Sequence, residues 1–165
     1  MRANGGLDNR SPAMKDPGRW MLLLAGVWLG LLVTVAAIAT PAPFAALSRP
    51  DAGRVVAIVL AREAAASVVL AMAIMLLQRW QVRRKLAAGE NVRQFDARLG
   101  LAAAALACTL AGYYAIQPQV SEARGGGGSL SFAQLHAISV GFYALKMALV
   151  AWLAFTLSRP ASSSR

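Results

Sequence analysis

The stretch "VVAIVLAREAAASVVLAMAIMLL", Val55 to Leu77, is a long apolar run interrupted by one pair of opposite charges, Arg62 and Glu63. About 20 apolar residues in an α-helix are what it takes to cross the roughly 30 Å hydrocarbon core of a bilayer. The stretch therefore reads as a membrane-spanning helix, and its neighbours read the same way. The first is Trp20 to Thr40, closed by the breaker "TPAP"; the quoted run sits in the second, about Arg54 to Arg79. The third is "ARLGLAAAALACTLAGYYAI", about Ala97 to Ile116, and the fourth is Phe132 to Leu157, ended by "SRP". The expected fold class is all-α, an integral membrane four-helix bundle, with a transmembrane domain over 19–158 between tails at 1–18 and 159–165.

Composition agrees. Of 165 residues, 58% are hydrophobic and 15% charged, and mean hydropathy is +0.52. A soluble domain is about a quarter charged. The net charge of +10 invites a nucleic-acid reading, but most of the cations lie at the ends of apolar runs, where topology alone places them. Nucleic acid is therefore not expected as a partner; the lipid bilayer is. Cys108 is the single cysteine, so no intrachain disulfide forms.

Orientation follows from the bias of Lys and Arg toward the cytoplasmic side. Arg2, Arg10, Lys15 and Arg19 precede helix one; Arg79, Arg83, Arg84, Lys85, Arg93 and Arg98 sit between helices two and three; Arg159 and Arg165 follow helix four. The opposite loops hold only Arg49, Arg54 and Arg124. Both termini and the middle loop are expected in the cytoplasm, which puts Trp20 and Trp80 at that interface. The sequon at Asn9 is then on the wrong side for glycosylation. The first apolar run is about twice the core of a signal peptide, so it reads as an uncleaved helix. Met14 offers a second start, and the two tails are polar and look disordered. "PQVSEARGGGGSLS" reads as a flexible tether, since no phosphate-binding "GK[ST]" follows its glycines.

Polar residues inside the helices carry whatever chemistry there is. Glu63 lies roughly 12 Å below the outer end of its helix, too deep for its short side chain to reach water. It needs a cation on another helix or must lose its charge. Arg62, about 100° around the helix, can instead snorkel outward. Lys146 lies roughly 18 to 20 Å down helix four and leans back toward the depth of Glu63. Tyr113, Tyr114 and His136 sit nearer the outer end and extend a polar set on that side. Intramembrane charges often mark ion, proton or substrate pathways, yet such a pair is also plain interhelical glue, worth about 0.6 to 2 kcal/mol. "GVWLG", with Gly26 and Gly30, lets another backbone approach, either within the monomer or across a homodimer.

A single His cannot supply two axial haem imidazoles. Cys108, Met72, Met75 and Met147 are soft ligands suited to Cu(I), though Met is also ordinary packing material. No metal site or cofactor is expected. No P-loop, metalloprotease, nucleophile-elbow or paired-Cys motif occurs in the chain, so an enzyme is not expected either.

"WLGLLVTVAAIATPAPFAAL" followed by "DAGRVVAIVLAREA", and later "YYAIQPQVSEAR" and "FAQLHAISVGFYALKMALVAWLAF", resemble a bacterial membrane-protein family of unknown function related to eukaryotic transmembrane protein 205. The order and spacing of the Pro-Phe turn, the Gln-Pro after helix three and the Leu-His-x-x-Ser of helix four carry the likeness. It implies four transmembrane helices and no established activity. It marks Pro43, Phe44, Gly53, Arg62, Glu63, Gln117, Pro118, Arg124, His136, Ser139 and Lys146 as motif positions without assigning them roles. The leading expectation is a non-enzymatic inner-membrane component acting with lipids or protein partners, a homodimer among them. The alternatives are a transporter or ion or proton pathway through Glu63 and Lys146 and, third, metal or porphyrin handling.

Overall fold

The computed structural model describes residues 17–93, 95–124 and 130–159. The two tails up to residue 16 and from residue 160, with Asn9 and Met14, and the glycine run 125–128 lie outside the described residues.

All described secondary structure is helical. Helix α1, Pro17–Thr34, continues as a π-helical turn over Val35–Ala39; a short α2, Ala42–Ala46, follows. The π turn is closed by Thr40 N–H donating to the Val35 carbonyl at 2.9 Å. Pro41, which has no N–H to give, then breaks the ladder. Helix α3, Arg49–Ala87, is capped by Ser48; α4, Ala97–Thr109, is capped by Asp96 and continues as a π turn over Leu110–Ala115. Helix α5 is Gln117–Arg124 and α6 is Phe132–Ser158, opened by a capping box between Ser131 and Gln134.

Four helical spans are long and apolar enough to cross a membrane: Pro17–Ala46, Arg49–Ala87, Ala97–Val120 and Phe132–Ser158. Two boundaries differ from expectation. Helix α3 runs on to Ala87 instead of ending near Arg79, because "WQVRRKLA" contains only tolerant helix residues. Arg84 and Lys85 then sit favourably in its last turn, and the chain turns at Gly89 with φ 81°. The supposed tether begins with an eight-residue helix, α5, whose Val120 packs with Ile116 and Leu135.

The long helices pack in cyclic order: α1 against α3 and α6, and α4 against the same two, with no close backbone approach across either diagonal among the described residues. Each turns a narrow stripe inward. On α1 it is Met21, Ala25, Trp28, Leu32; on α3 it is Glu63, Ser67, Ala71, Ile74, Gln78. The outer surface stays apolar, with Leu23, Val27, Ile58, Val69, Leu76 and Trp152 all exposed. In water such a surface is an aggregation liability; against lipid it is the ordinary exterior. Trp28, Leu32, Ile74, Val150 and Leu153, with four alanines, fill the interior toward the end that carries the α3–α4 connection. The other half of the interior is open.

Candidate functional site

The open half is a cavity of about 470 Å³ bounded by α1, α3, α4 and α6 and their extensions. Its floor is the Glu63–Lys146 pair. Lys146 Nζ donates to both carboxylate oxygens of Glu63, at 2.9 and 3.0 Å, and the residues are 3% and 4% exposed. Because α3 and α6 do not touch as backbones, this bridge crosses the diagonal of the ring. The lysine stem spans the difference in depth between the two residues, as its lean toward the helix N-terminus allows.

The pair is embedded in a wider network. Ser67, one turn beyond Glu63, donates its hydroxyl to Glu63 Oε1 at 2.5 Å, and Trp28 Nε1 donates to the Ser67 oxygen at 2.9 Å. The ammonium of Lys146 lies 4.5 Å from the centre of the Tyr143 ring, and the Tyr143 hydroxyl donates to the Leu32 carbonyl at 3.0 Å. Helices α1, α3 and α6 are thus tied by one continuous polar chain. A desolvated ion pair needs such support, since its Coulomb gain barely offsets the loss of hydration.

Above the floor the wall is mostly apolar, and it includes both π turns. Ala36 comes from the first, and Gly112 and Tyr113 from the second. π turns in membrane and soluble helices often mark functional positions. Gly112 is required by space: a Cβ there would stand 2.8 Å from Phe142 Cβ. Toward the mouth come Phe44, Gly53, Gln117, His136 and Ser139. The His136 ring stacks on Phe132 at 6.0 Å. The Ser139 hydroxyl oxygen is buried and has no hydrogen-bond partner. The mouth opens into an outer recess bordered by Arg49, Arg54 and Pro50.

The cavity also opens sideways. The π turn Val35–Ala39 packs on α3 but has no close backbone approach to α6. Ala36, Val140 and Ala144 accordingly line the cavity while remaining exposed. The slot between them faces the direction in which the rest of the helical surface is apolar.

Of the residues singled out in the sequence, Glu63, Lys146, Tyr113, His136, Phe44, Gly53, Gln117, Ser139, Cys108 and Met147 meet at this cavity. The others do not. Arg62 is exposed on the outside of α3, and Tyr114 turns outward with its ring 5.1 Å from that of Tyr113. Pro43 is half-buried in α2, Pro118 is exposed at the start of α5, and Arg124 ends α5. Gly26 and Gly30 face outward, and a Cβ at either would meet nothing within 4 Å. Packing within the chain does not use them, because α1 turns Ala25, Trp28 and Leu32 inward instead. Met72 is exposed and so stands apart from Cys108 and Met147, which line the cavity. Among the described residues no three of His, Cys, Asp and Glu converge. Sequence reasoning missed Ser67, Trp28 and Tyr143. Ser67 is four residues from Glu63 and Tyr143 three from Lys146, the spacings at which helical side chains meet.

Fold and site together define a small all-helical protein with four potential membrane spans around a partly hollow interior. The chain belongs to the family described as a domain of unknown function, DUF4149, which matches residues 23–129. The match takes in Glu63, Ser67 and Tyr113 and ends before α6, which carries His136, Ser139 and Lys146. No curated protein and no solved structure matches the chain.

Proposed function

We propose that this is a non-enzymatic component of the bacterial inner membrane, a four-helix bundle with both termini cytoplasmic, that acts by holding an apolar chain from the surrounding lipid. The observation that carries this reading is the cavity of about 470 Å³, apolar along its wall and open sideways between the first π turn and α6. The excess of cations on one side supports the orientation. The likeness to relatives of transmembrane protein 205 belongs to the same reading and rests on motif order. The outward-facing Gly26 and Gly30 leave a close-approach surface for a second copy or another membrane protein.

The test is lipid retention. Protein purified in mild detergent should carry bound lipid in native mass spectrometry. Ala57→Trp, which places a large ring in the cavity, should lose it while helicity and monodispersity hold. Equal retention by both would overturn the reading.

A transporter or proton pathway draws on the same pair at the floor. Beyond that floor lie Trp28, Leu32, Ile74, Val150 and Leu153, all fully buried, so the cavity is blind in this conformation and suits holding better than passage.

A further inference from the structure

We propose that the cavity holds one acyl chain of an anionic bilayer lipid, with the chain lying along α3 toward the Glu63–Lys146 pair and the headgroup against Arg49. This rests on the lipid-holding reading and adds the class of lipid.

The charges around the cavity decide the sign. Glu63 is neutralised by Lys146 at the floor. At the mouth Asp51 is engaged by Arg54, its neighbour three residues on. Arg49 has no carboxylate partner among the described residues and borders the outer recess of about 930 Å³, so the mouth carries net positive charge. Thr40, Phe44, Gly53, Phe132 and His136 border both spaces, which makes recess and cavity continuous. From Gly53 to Glu63 the helix rises about 15 Å, room for much of a lipid tail.

Polarity along that length matches an amphiphile lying head outward. The deep wall includes Leu60 and Met147, and the half nearer the mouth adds Val56, His136 and Ser139. Ser139, one turn deeper than His136, holds a buried hydroxyl without a partner, at the level where the ester carbonyl of a glycerolipid would accept it. A cationic lipid would meet Arg49 with like charge. A zwitterionic one would gain little, because its own ammonium offsets the phosphate. The sideways slot admits the chain from the bilayer without lifting it through water.

The experiment uses the full-length protein in phosphatidylcholine nanodiscs with a trace of lipid spin-labelled near the end of one chain. The label is carried either on phosphatidylglycerol or on phosphatidylcholine. The motionally restricted spectral component that Ala57→Trp removes reports the cavity. The expected preference for phosphatidylglycerol is about fivefold, the worth of one basic residue near an anionic headgroup. It should fall toward unity in Arg49→Gln and shrink in high salt. Equal restriction of both labels, unmoved by Arg49→Gln, would overturn the anionic assignment and leave the lipid-holding reading standing. No component sensitive to Ala57→Trp with either label would overturn both.

Discussion

The two halves of the interior are built from the same four helices and come out differently. Toward the α3–α4 connection, every helix turns at least one large or closely fitted side chain inward: Trp28 on α1, Ile74 on α3, Leu99 on α4, Leu153 on α6. Toward the other end several of the positions lining the interior are small, Ala36, Gly53, Ala57 and Gly112 among them. Small residues at helix contacts usually let backbones close up. Here they do not along the first π turn, which packs on α3 but has no close backbone approach to α6, although α1 itself packs on α6. The volume that would have been lost becomes the cavity. The polar network of Trp28, Ser67, Glu63, Lys146 and Tyr143 is the border between the filled half and the hollow one.

The border is the place where that contrast breaks most sharply. Lys146→Met strands a buried carboxylate with only Ser67 to serve it, and should cost about 3 kcal/mol in reversible unfolding in bicelles. Glu63→Gln should also destabilise. The Glu63→Gln/Lys146→Met double variant, with nothing left uncompensated, should lie within about 1 kcal/mol of the parent. Two silent single changes would mean that the pair holds nothing together.

Equal truncations on the two sides sharpen the comparison. Leu153→Ala empties a fully buried site and should cost about 3 kcal/mol. Leu60→Ala, beside space that already exists, should cost about 1 kcal/mol, the hydrophobic part alone. If both cost the same, the hollow half is packed in the membrane.

The smallest effects compare glycines. Gly112→Ala forces Phe142 or the backbone aside and should cost about 1 to 2 kcal/mol. Gly30→Ala, with open space around it, should be neutral or stabilise by up to about 1 kcal/mol through helix propensity. A clear loss at Gly30, together with a change in mass by light scattering, would locate a contact between copies.

Much of this was legible in the residues. Hydropathy runs of fixed length define the spans, since the bilayer sets the length independently of packing. The Glu63–Lys146 contact followed from depth and the direction in which side chains lean. What periodicity could not supply was rotation about each helix axis. In soluble helices a polar face marks the outside, but here both faces are apolar, so nothing in "GVWLG" tells that Gly26 and Gly30 point away. The cavity was equally hidden, because it depends on volumes contributed by separate helices. The π turns were hidden too: "VAAIA" and "LAGYYA" read as ordinary helix.

Those two turns act as phase shifters. A π turn carries one residue more than the α turn it replaces, so the chain beyond it is rotated by about 100° relative to an uninterrupted helix. Thr40 and Phe44 lie beyond the first turn, and Gln117 and Val120 beyond the second. All four line the cavity. Wound as plain α-helix, the same letters would send them to another face, and the mouth would be lined by their neighbours.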